Sequence, residues 1–321
     1  MTDILKAHDL CKDYRLSHGK TLRALDHVSL TVRSGEVLGL VGESGCGKST
    51  LGRCLLRLTD LSSGNILFED QDISRMNDRA LRPVRRRMQM VFQDSYASLN
   101  PKRRIGDLVA EPLRVHPDAN GKKRSRQVIE VRLEELMDLV SLPHSALARY
   151  PHEFSGGQRQ RINIARALAL SPRLIVADEP VSALDVSVQA QIVNLFTDLK
   201  EQLGLTYIFI AHDLAVVRQI STRVAVMYLG AIVELGDTDA VMQTPAHPYT
   251  MALISAVPKP VIGAHDERIL LHGDVPSPIS PPSGCRFHTR CPKAEGRCSA
   301  EAPALRDIGN GRQVACHFPL H

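Results

Sequence analysis

A glycine-rich stretch at residues 42–50, Gly-Glu-Ser-Gly-Cys-Gly-Lys-Ser-Thr, constrains this chain more than any other part of its sequence. It follows an apolar run at 37–41 and leads into a leucine-rich segment, an order that predicts strand, loop and helix. Glycines let the backbone bend so that successive N–H groups point at phosphate oxygens, and the helix N-terminus adds partial positive charge. Lys48 is expected to reach the β- and γ-phosphates, and Ser49 to place its hydroxyl on Mg²⁺. We call this stretch the phosphate loop and expect all its residues to contact the nucleotide: Gly42, Glu43, Ser44, Gly45, Cys46, Gly47, Lys48, Ser49 and Thr50.

Length and composition indicate a globular protein of about two domains. The chain has 321 residues, of which 43 % are hydrophobic, so it can bury a sizeable core. No apolar run approaches the eighteen or so residues of a membrane span, and the N-terminus lacks the apolar stretch of a signal peptide. We therefore expect the chain to stay in the compartment where it is made, with Cys11, Cys46 and Cys54 as reduced thiols.

Basic residues cluster at 82–87 and 102–104, a pattern that can indicate nucleic-acid binding. Aromatic residues are not interleaved with them, and the formal net charge of the whole chain is only +5. We therefore expect no nucleic-acid partner, and interpret these residues as a solvated face, near anionic lipid or a membrane partner.

The remaining pattern is that of an α/β protein. Apolar segments at 174–177 and 207–211 alternate with helical patterns, which predicts a parallel sheet covered on both sides. Residues 224–233 are predicted to form two paired strands with a turn at Gly230. A helical subdomain is predicted at about 94–165. Five of its residues are expected to fall near one helical face: Val128, Val131, Leu136, Leu139 and Val140.

Four polar residues, like the phosphate loop, come directly after predicted strands. Ligands of parallel sheets bind at the carboxyl ends of the strands, so we expect these residues to converge. Asp178 is expected to hold Mg²⁺, through water or the Ser49 hydroxyl, and Glu179 to orient or deprotonate the attacking water. Gln93 could sense the Mg²⁺ and the water, and His212 could contact the γ-phosphate.

A second phosphate-binding feature is predicted at residues 154–158, Phe-Ser-Gly-Gly-Gln, where a Ser-Gly-Gly turn opens a helix. The chain has one phosphate loop, but two of its features are predicted to bind phosphate. A head-to-tail pair of such domains, each presenting its Ser155 turn to the nucleotide of the other, satisfies both.

Six motifs occur in this order: Gly-Glu-Ser-Gly-Cys-Gly-Lys-Ser-Thr, Phe-Gln-Asp, Ser-Gly-Gly-Gln-Arg-Gln, Val-Ala-Asp-Glu-Pro, Ser-Ala-Leu-Asp and His-Asp. With them the first three-quarters of the chain resembles the ATP-binding subunits of ABC transporters. The resemblance implies a P-loop NTPase of α/β class, with an ABC nucleotide-binding domain at 1–236 and the helical subdomain inserted in it. Phe154 is a departure, since many members have leucine there.

The resemblance also implies roles for individual residues. Tyr14 resembles the aromatic residue that stacks on adenine, and the phosphate loop resembles the Walker A motif. Asp178 resembles the Walker B aspartate, Glu179 the catalytic carboxylate and His212 the switch histidine. Gln93 resembles the residue of the loop that couples to the membrane subunits. The dimer contacts are implied for the signature loop and the seam aspartate: Ser155, Gly156, Gly157, Gln158 and Asp185.

The last eighty-five residues narrow the resemblance. His-Pro-Tyr-Thr at 247–250, Gly-Asp-Val-Pro-Ser-Pro at 273–278 and Pro-Pro-Ser-Gly-Cys-Arg-Phe-His at 281–288 are similar to the tail of dipeptide and oligopeptide permease ATPases, closest to the F-type subunit. The resemblance implies a tail domain at 237–321 and import powered by two unlike ATPase subunits. Two membrane permease subunits and an extracytoplasmic peptide-binding protein complete the implied assembly, with this chain on the cytoplasmic face of the inner or plasma membrane.

Two other functions stay open at this point. The same subunit class serves nickel, glutathione and other small solutes. A soluble ABC ATPase acting on ribosomes or DNA is disfavoured, because such proteins usually carry two cassettes or a long coiled-coil insertion.

Four cysteines are concentrated in the tail: Cys285, Cys291, Cys298 and Cys316. Five, six and seventeen residues separate them, whereas zinc sites usually show tight Cys-x₂₋₄-Cys pairs. Four thiolates on irregular loops suit an iron–sulfur cluster, and the resemblance points to [4Fe-4S]. Zinc, with His288 or His317 as substitute ligands, and unligated thiols are the alternatives. A bound group would stabilise a tail that is poor in apolar residues.

Overall fold

The computed structural model describes residues 2–118, 121–257, 269, 271 and 273–320. The termini of the predicted domains at 1 and 321, and residues 258–268 of the predicted tail domain, lie outside the described residues. The chain divides into two compact units. Unit 1 comprises Met1–Arg75 and Phe209–His321, and unit 2 comprises Met76–Ile208.

Strands and helices alternate along most of the described chain. The strands are β1 (Asp3–Arg15), β2 (Thr21–Arg33), β3 (Val37–Val41), β4 (Ser63–Phe68), β5 (Gln71–Asp72), β6 (Met88–Val91), β7 (Leu174–Asp178), β8 (Thr206–Ile210), β9 (Arg223–Tyr228), β10 (Ala231–Asp237), β11 (Arg306–Asp307) and β12 (Gln313–Val314). The helices are α1 (Lys48–Leu55), α2 (Asp78–Arg85), α3 (Ile105–Val115), α4 (Arg126–Leu139), α5 (Gly156–Leu168), α6 (Val186–Leu203), α7 (Leu214–Ile220), α8 (Thr238–Gln243), α9 (Pro248–Ser255) and α10 (Gly296–Ala300).

Unit 1 contains an antiparallel sheet with the strand order β2, β1, β4, β5. The long strands β1 and β2 pair with each other, for example Lys6 opposite Thr31. Buried and more exposed residues alternate along most of β2, because one face of the sheet packs on the core. In β1 the alternation is broken at Ile4–Leu5 and at Leu10–Cys11, where neighbouring residues are both buried.

A second set of strands in unit 1 leads to the phosphate loop. β3, with all five residues buried, pairs in parallel with β9, and Val41 lies opposite Val226. β9 turns back into β10 through Leu229 and Gly230, which confirms the predicted pair of strands. β12 then pairs with β10, so the C-terminal tail adds strands to the same side of β9.

Unit 2 combines parallel strands with a group of helices. β6 pairs with β7 in parallel, with Val91 opposite Ala177. Helices α3, α4 and α5 pack on one another and form the helical layer that the sequence predicts.

The prediction that Val128, Val131, Leu136, Leu139 and Val140 fall near one helical face is wrong for Val128 and Val131. Val131 is 52 % exposed and Val128 is 54 % exposed. Val131 lies five residues before Leu136, which is about 140° around a helix that turns about 100° per residue. The two side chains therefore cannot share a narrow face. The buried face is formed by Ile129, Leu133, Leu136 and Met137.

Within the described ranges, no helix combines the length and the apolar character that a membrane crossing requires.

Candidate nucleotide site

The backbone of the phosphate loop follows a path that only glycine permits at two positions. Gly42 has a φ of +152°, and a Cβ there would collide with the carbonyl oxygen of Met227 in β9. Gly47 has a φ of +106°, and a Cβ there would lie 2.5 Å from the carbonyl oxygen of Ala24 in β2. Because L side chains rarely adopt these dihedral angles, the glycines set the direction in which the chain leaves β3.

Lys48, the first residue of α1, is turned back over the loop. Its side chain is buried, and Nζ donates hydrogen bonds to the carbonyl oxygens of Gly42 at 2.8 Å and Glu43 at 3.1 Å. The ammonium group thus adds a full positive charge to a helix N-terminus whose first-turn amides already favour anions. Burial raises the pKa of the neighbouring Cys46 thiol, so Cys46 adds no opposing negative charge.

The rest of the phosphate loop is more accessible. Ser44 and Gly45 are exposed, and Ser49 and Thr50 at the start of α1 are half-buried. The loop therefore presents backbone amides, an ammonium group and hydroxyls on one short stretch, the set of groups that a nucleotide phosphate with Mg²⁺ requires.

His212 lies at the same edge of unit 1 as the phosphate loop. The amide of Ala211 donates to the carbonyl oxygen of Leu40 in β3 at 3.2 Å, which places the residues after β8 beside those after β3. Asp213 then caps α7 by accepting a hydrogen bond from the amide of Ala215 at 2.7 Å. His212 is held between these two contacts with an exposed side chain.

Tyr14 lies near the end of β1, half-buried, with Lys12 Nζ 4.8 Å from the centre of its ring. It pairs with Leu22 of β2, the strand that also carries Ala24 against Gly47. Tyr14 and the phosphate loop are thus connected through one strand.

In unit 2, Gln93 and Glu179 come together as the strand ends predict. The parallel register of β6 and β7 carries the two residues beyond the strands side by side, and Gln93 Nε2 donates to Glu179 Oε2 at 2.8 Å. Asp178 at the end of β7 is 1 % exposed, whereas Glu179 is half-buried. The unit therefore offers a sheltered carboxylate followed directly by an accessible one.

The backbone at Glu179 is strained. Its φ is +45°, a value that costs a non-glycine residue about 1–3 kcal/mol. The amide and hydroxyl of Ser182 both donate to the Glu179 carbonyl oxygen, at 3.3 and 3.1 Å, and stabilise this conformation. Such strain is typical of functional positions, because it holds a side chain in one direction.

The Ser155 turn is a capped helix N-terminus. Ser155 Oγ accepts from the amide of Gln158 at 3.3 Å, and Gln158 Oε1 accepts from the amide of Ser155 at 3.0 Å. This reciprocal capping fixes the first turn of α5. Both side chains are exposed, so the turn can be approached from solvent.

The start of α6 packs beside the Ser155 turn. A Cβ on Gly157 would lie 2.5 Å from Val188, and one on Gly156 would lie 3.2 Å from Leu184. The glycines therefore allow close packing of the two segments. Asp185 lies between Leu184 and Val188 in the sequence and is exposed. The Ser155 turn and Asp185 therefore form one surface of unit 2.

The four tail cysteines also come together, in unit 1. Cys285, Cys291, Cys298 and Cys316 all line one narrow cavity. Burial, with smaller contributions from the other three thiols, raises the pKa of Cys285 to about 11, so its neutral thiol is favoured in the absence of a bound cation.

In the described part of the chain, the ligand atoms of Cys11, Asp26 and His27 lie within 4.8 Å of one another, whereas no three of the tail sulfurs are that close.

The imidazoles that line the cavity keep a mixed site possible. His288 Nδ1 bonds the carbonyl oxygen of Cys285 at 2.8 Å, and His317 Nε2 bonds that of Glu301 at 2.8 Å. A metal-ligating histidine normally donates its second ring N–H in this way.

The group formed by Cys11, Asp26 and His27 was not predicted from the sequence. The Asp26 carboxylate binds Arg23 at 3.1 Å and also binds Arg286. Two guanidinium groups already neutralise this carboxylate, so the group is a poor cation site. Contacts of Glu43 with the tail were also missed, because no local pattern in the sequence marks them.

The fold and the phosphate loop define the chain as a P-loop nucleotide-binding protein of the ATP-binding cassette type. Residues 25–182 match the model of the ABC transporter family, and residues 233–298 match that of the oligopeptide/dipeptide transporter C-terminal region. The chain belongs to the ABC transporter ATP-binding proteins and is an ATP-hydrolysing subunit.

Similar proteins extend along nearly the whole chain. A protein of Brucella abortus (strain 2308) that carries the name peptide import ATP-binding protein is 54 % identical over 321 residues, covering 98 % of this chain and 94 % of its own. A peptide ABC transporter ATP-binding protein of Sinorhizobium fredii is 53 % identical over 320 residues, covering 98 % of this chain and 89 % of its own.

Solved cassettes are similar over the larger part of the chain. A dimeric ATP-binding cassette in a post-hydrolysis state with ADP and Pi has a TM-score of 0.66 at 28 % identity, covering 73 % of this chain and 98 % of its own. The protein cbiO1 of Clostridium perfringens, part of the ABC transporter complex cbiONQ, has a TM-score of 0.64 at 28 % identity, covering 76 % and 92 %.

Gly47 and Gly45 differ in their surroundings, so replacing each of them by alanine tests how tightly the phosphate loop is held. Gly47→Ala is expected to destabilise the chain by about 1–3 kcal/mol more than Gly45→Ala, since both have positive φ but Gly45 has no atom near its Cβ position. Thermal unfolding of the two variants without nucleotide measures the difference. Equal melting temperatures would show that Ala24 does not confine the loop.

Proposed function

We propose that the chain is the ATP-hydrolysing subunit of an ABC importer that powers uptake of di- and oligopeptides. The observation that carries this proposal is the presence of two family matches in one chain. The ABC transporter match at 25–182 is followed by the oligopeptide/dipeptide transporter match at 233–298. Relatives that are similar over 98 % of the chain carry names for peptide import and peptide ABC transport.

The proposed nucleotide chemistry assigns one task to each polar group. The phosphate loop binds the phosphates, with Lys48 at the β- and γ-phosphates and Ser49 on Mg²⁺. Asp178 is suited to hold Mg²⁺, because carboxylates are its preferred protein ligands. Glu179 orients or deprotonates the attacking water, and its hydrogen bond from Gln93 supports a coupled pair at the water and the metal.

The remaining tasks concern the two ends of the nucleotide. His212 is proposed to contact the γ-phosphate, supported by its exposed side chain beside the residues that follow β3. Tyr14 is proposed to stack on adenine, which its half-buried ring on the strand next to β2 supports.

The proposed active form is a head-to-tail pair with a second, non-identical ABC ATPase. The Ser155 turn, comprising Ser155, Gly156, Gly157 and Gln158, closes on the ATP of the partner, and Asp185 lies at the seam. The exposed side chains of Ser155 and Gln158 at a capped helix N-terminus support this role, as does Val186, an apolar residue beside Asp185 that is 82 % exposed. A similar cassette has been solved as a dimer with ADP and Pi.

The complete transporter is proposed to contain two transmembrane permease subunits and an extracytoplasmic peptide-binding protein. This chain would lie on the cytoplasmic face of the inner or plasma membrane as a peripheral subunit. Its nucleotide-binding domain is proposed to span 1–236 and its tail domain 237–321, in keeping with the separate family matches.

The tail is proposed to hold a [4Fe-4S] cluster through Cys285, Cys291, Cys298 and Cys316, with zinc as the alternative. Four cysteines around one cavity support a ligand set, and four thiolates on irregular loops suit an iron–sulfur cluster. The bound group would join segments far apart in sequence and so stabilise the tail.

Protein purified without oxygen tests the tail assignment. We expect about four irons and four acid-labile sulfides per chain, because each cysteine supplies one ligand to a four-iron cluster. Replacing Cys298 by serine should lower the iron content, whereas Cys54→Ser, a buried cysteine outside the tail, should not. One zinc and no iron per chain would contradict the cluster and leave a zinc site.

Glu179→Gln tests hydrolysis and the transported solute together. The variant is expected to bind ATP but to hydrolyse it about 10²–10³-fold more slowly, since the water loses its acceptor. A strain that lacks the native chain and carries this variant should take up no labelled dipeptide. Glu201→Gln, an exposed carboxylate in α6, is the matched control and should restore uptake.

The same strains distinguish the transported solutes. Uptake of labelled nickel or glutathione that depends on this chain, with dipeptide uptake unchanged, would contradict the peptide assignment. Near-normal turnover by the assembled Glu179→Gln transporter would contradict the role of Glu179.

Ser155→Arg tests the head-to-tail pair. The variant should bind its own ATP as tightly as the native chain, because Ser155 faces the nucleotide of the partner, while ATP hydrolysis in the partner site should fall. Nucleotide binding is measured on the purified chain and hydrolysis on the assembled pair. A loss of ATP affinity in the isolated variant would contradict the arrangement.

A further inference from the structure

An arginine of the tail forms an ion pair with a carboxylate of the phosphate loop. Arg290 donates from Nη1 to Glu43 Oε2 at 2.8 Å and from Nη2 to Glu43 Oε1 at 3.1 Å. The Arg290 side chain is 8 % exposed, so the pair is largely shielded from water. A two-bonded guanidinium fixes both the position and the rotation of the carboxylate, which a single contact would not.

The backbone of Glu43 is held by the tail as well. Its amide donates to the hydroxyl of Tyr249, at the start of α9, at 2.9 Å. Tyr249 is fully buried and packs against Tyr228 and Phe287, with ring centres 4.7 and 5.4 Å away. Because Lys48 Nζ binds the carbonyl oxygen of Glu43, every polar group of this residue has a defined partner.

Arg290 belongs to the segment that carries the first two tail cysteines. A single turn, His288–Arg290, lies between Cys285 and Cys291, and the amide of His288 donates to the carbonyl oxygen of Cys285 at 3.0 Å. The amide of Cys285 in turn donates to the carbonyl oxygen of Cys298 at 2.7 Å. The backbone position of Arg290 is therefore set by the cysteine-lined cavity.

A second arginine of this segment supports the same docking. Arg286 binds Asp26 and the carbonyl oxygen of Leu229. Leu229 precedes Gly230, whose amide donates to the carbonyl oxygen of Cys46 in the phosphate loop at 2.8 Å. The tail segment thus touches the loop directly at Glu43 and indirectly at Cys46.

We propose that Arg290 is a positioning residue for the phosphate loop, and that it couples the cysteine-containing tail to ATP binding. It does not contact the nucleotide. It holds the Glu43 carboxylate away from the phosphate-binding amides, where a free negative charge would repel ATP, and keeps the loop in its binding conformation. The proposal requires that the chain bind ATP, and it is independent of the transported solute.

The test is the dissociation constant of methylanthraniloyl-ATP for the purified full chain. Arg290→Gln is expected to weaken binding about tenfold, within the range of typical coupling between sites. The dissociation constant of Arg290→Lys should lie between those of the native chain and Arg290→Gln, because lysine keeps the charge but not the two-bonded geometry. Binding within about twofold of the native chain in Arg290→Gln would overturn the proposal.

Arg312→Gln is the matched control. Arg312 is another tail arginine, 11 % exposed, whose hydrogen bonds go to Glu234 and Thr244 and not to the phosphate loop. Its replacement should lower the melting temperature but leave nucleotide affinity within about twofold. If Arg312→Gln weakens binding as much as Arg290→Gln, general loosening of the tail explains the effect and the proposal fails.

A double-mutant cycle isolates the pair. Arg290→Gln combined with Glu43→Gln should weaken binding no more than Arg290→Gln alone, because contacting residues are not additive. Independent, multiplying effects would contradict a shared interaction. Metal content is measured in each variant and should match the native chain, since Arg290 is not a ligand. Loss of metal together with ATP affinity in Arg290→Gln would also contradict this local role.

Discussion

The conformation of the phosphate loop depends on the parallel pairing of β3 with β9. It sets the carbonyl oxygen of Met227 against residue 42, so only glycine can leave β3 in the direction that the loop takes. The turn after β9 then returns Gly230 to the carbonyl oxygen of Cys46. One strand pair thus fixes the loop at both of these positions, and Lys48 and the first turn of α1 follow from that path.

The C-terminal tail builds on the same strands. β9 continues into β10, and β10 pairs with β12 of the tail, so the cysteine-containing segment is attached to the strands that support the phosphate loop. Tyr249 and Arg290 complete the connection at Glu43. The tail is therefore part of the packing around the phosphate loop.

Sequence patterns predicted the features that depend on short-range chemistry. Strand–loop–helix order marked the phosphate loop, and the rule that parallel strands end at one edge predicted the meeting of Gln93 with Glu179. Long-range side-chain partners were not predictable, because Arg290 and Glu43 lie 247 positions apart and neither belongs to a periodic pattern. The face of α4 was misjudged at Val131 because valines at helical spacing fit more than one rotation of the helix.

We propose that the backbone amides of residues 42–50 bind the phosphates of ATP. Hydrogen–deuterium exchange of a peptide covering these residues, in the intact chain with and without ATP and Mg²⁺, is the most direct test. We expect ATP with Mg²⁺ to slow exchange across this peptide and Mg²⁺ alone to leave it unchanged. Unchanged exchange in a chain that still hydrolyses ATP would contradict it, because the phosphates would then be bound elsewhere.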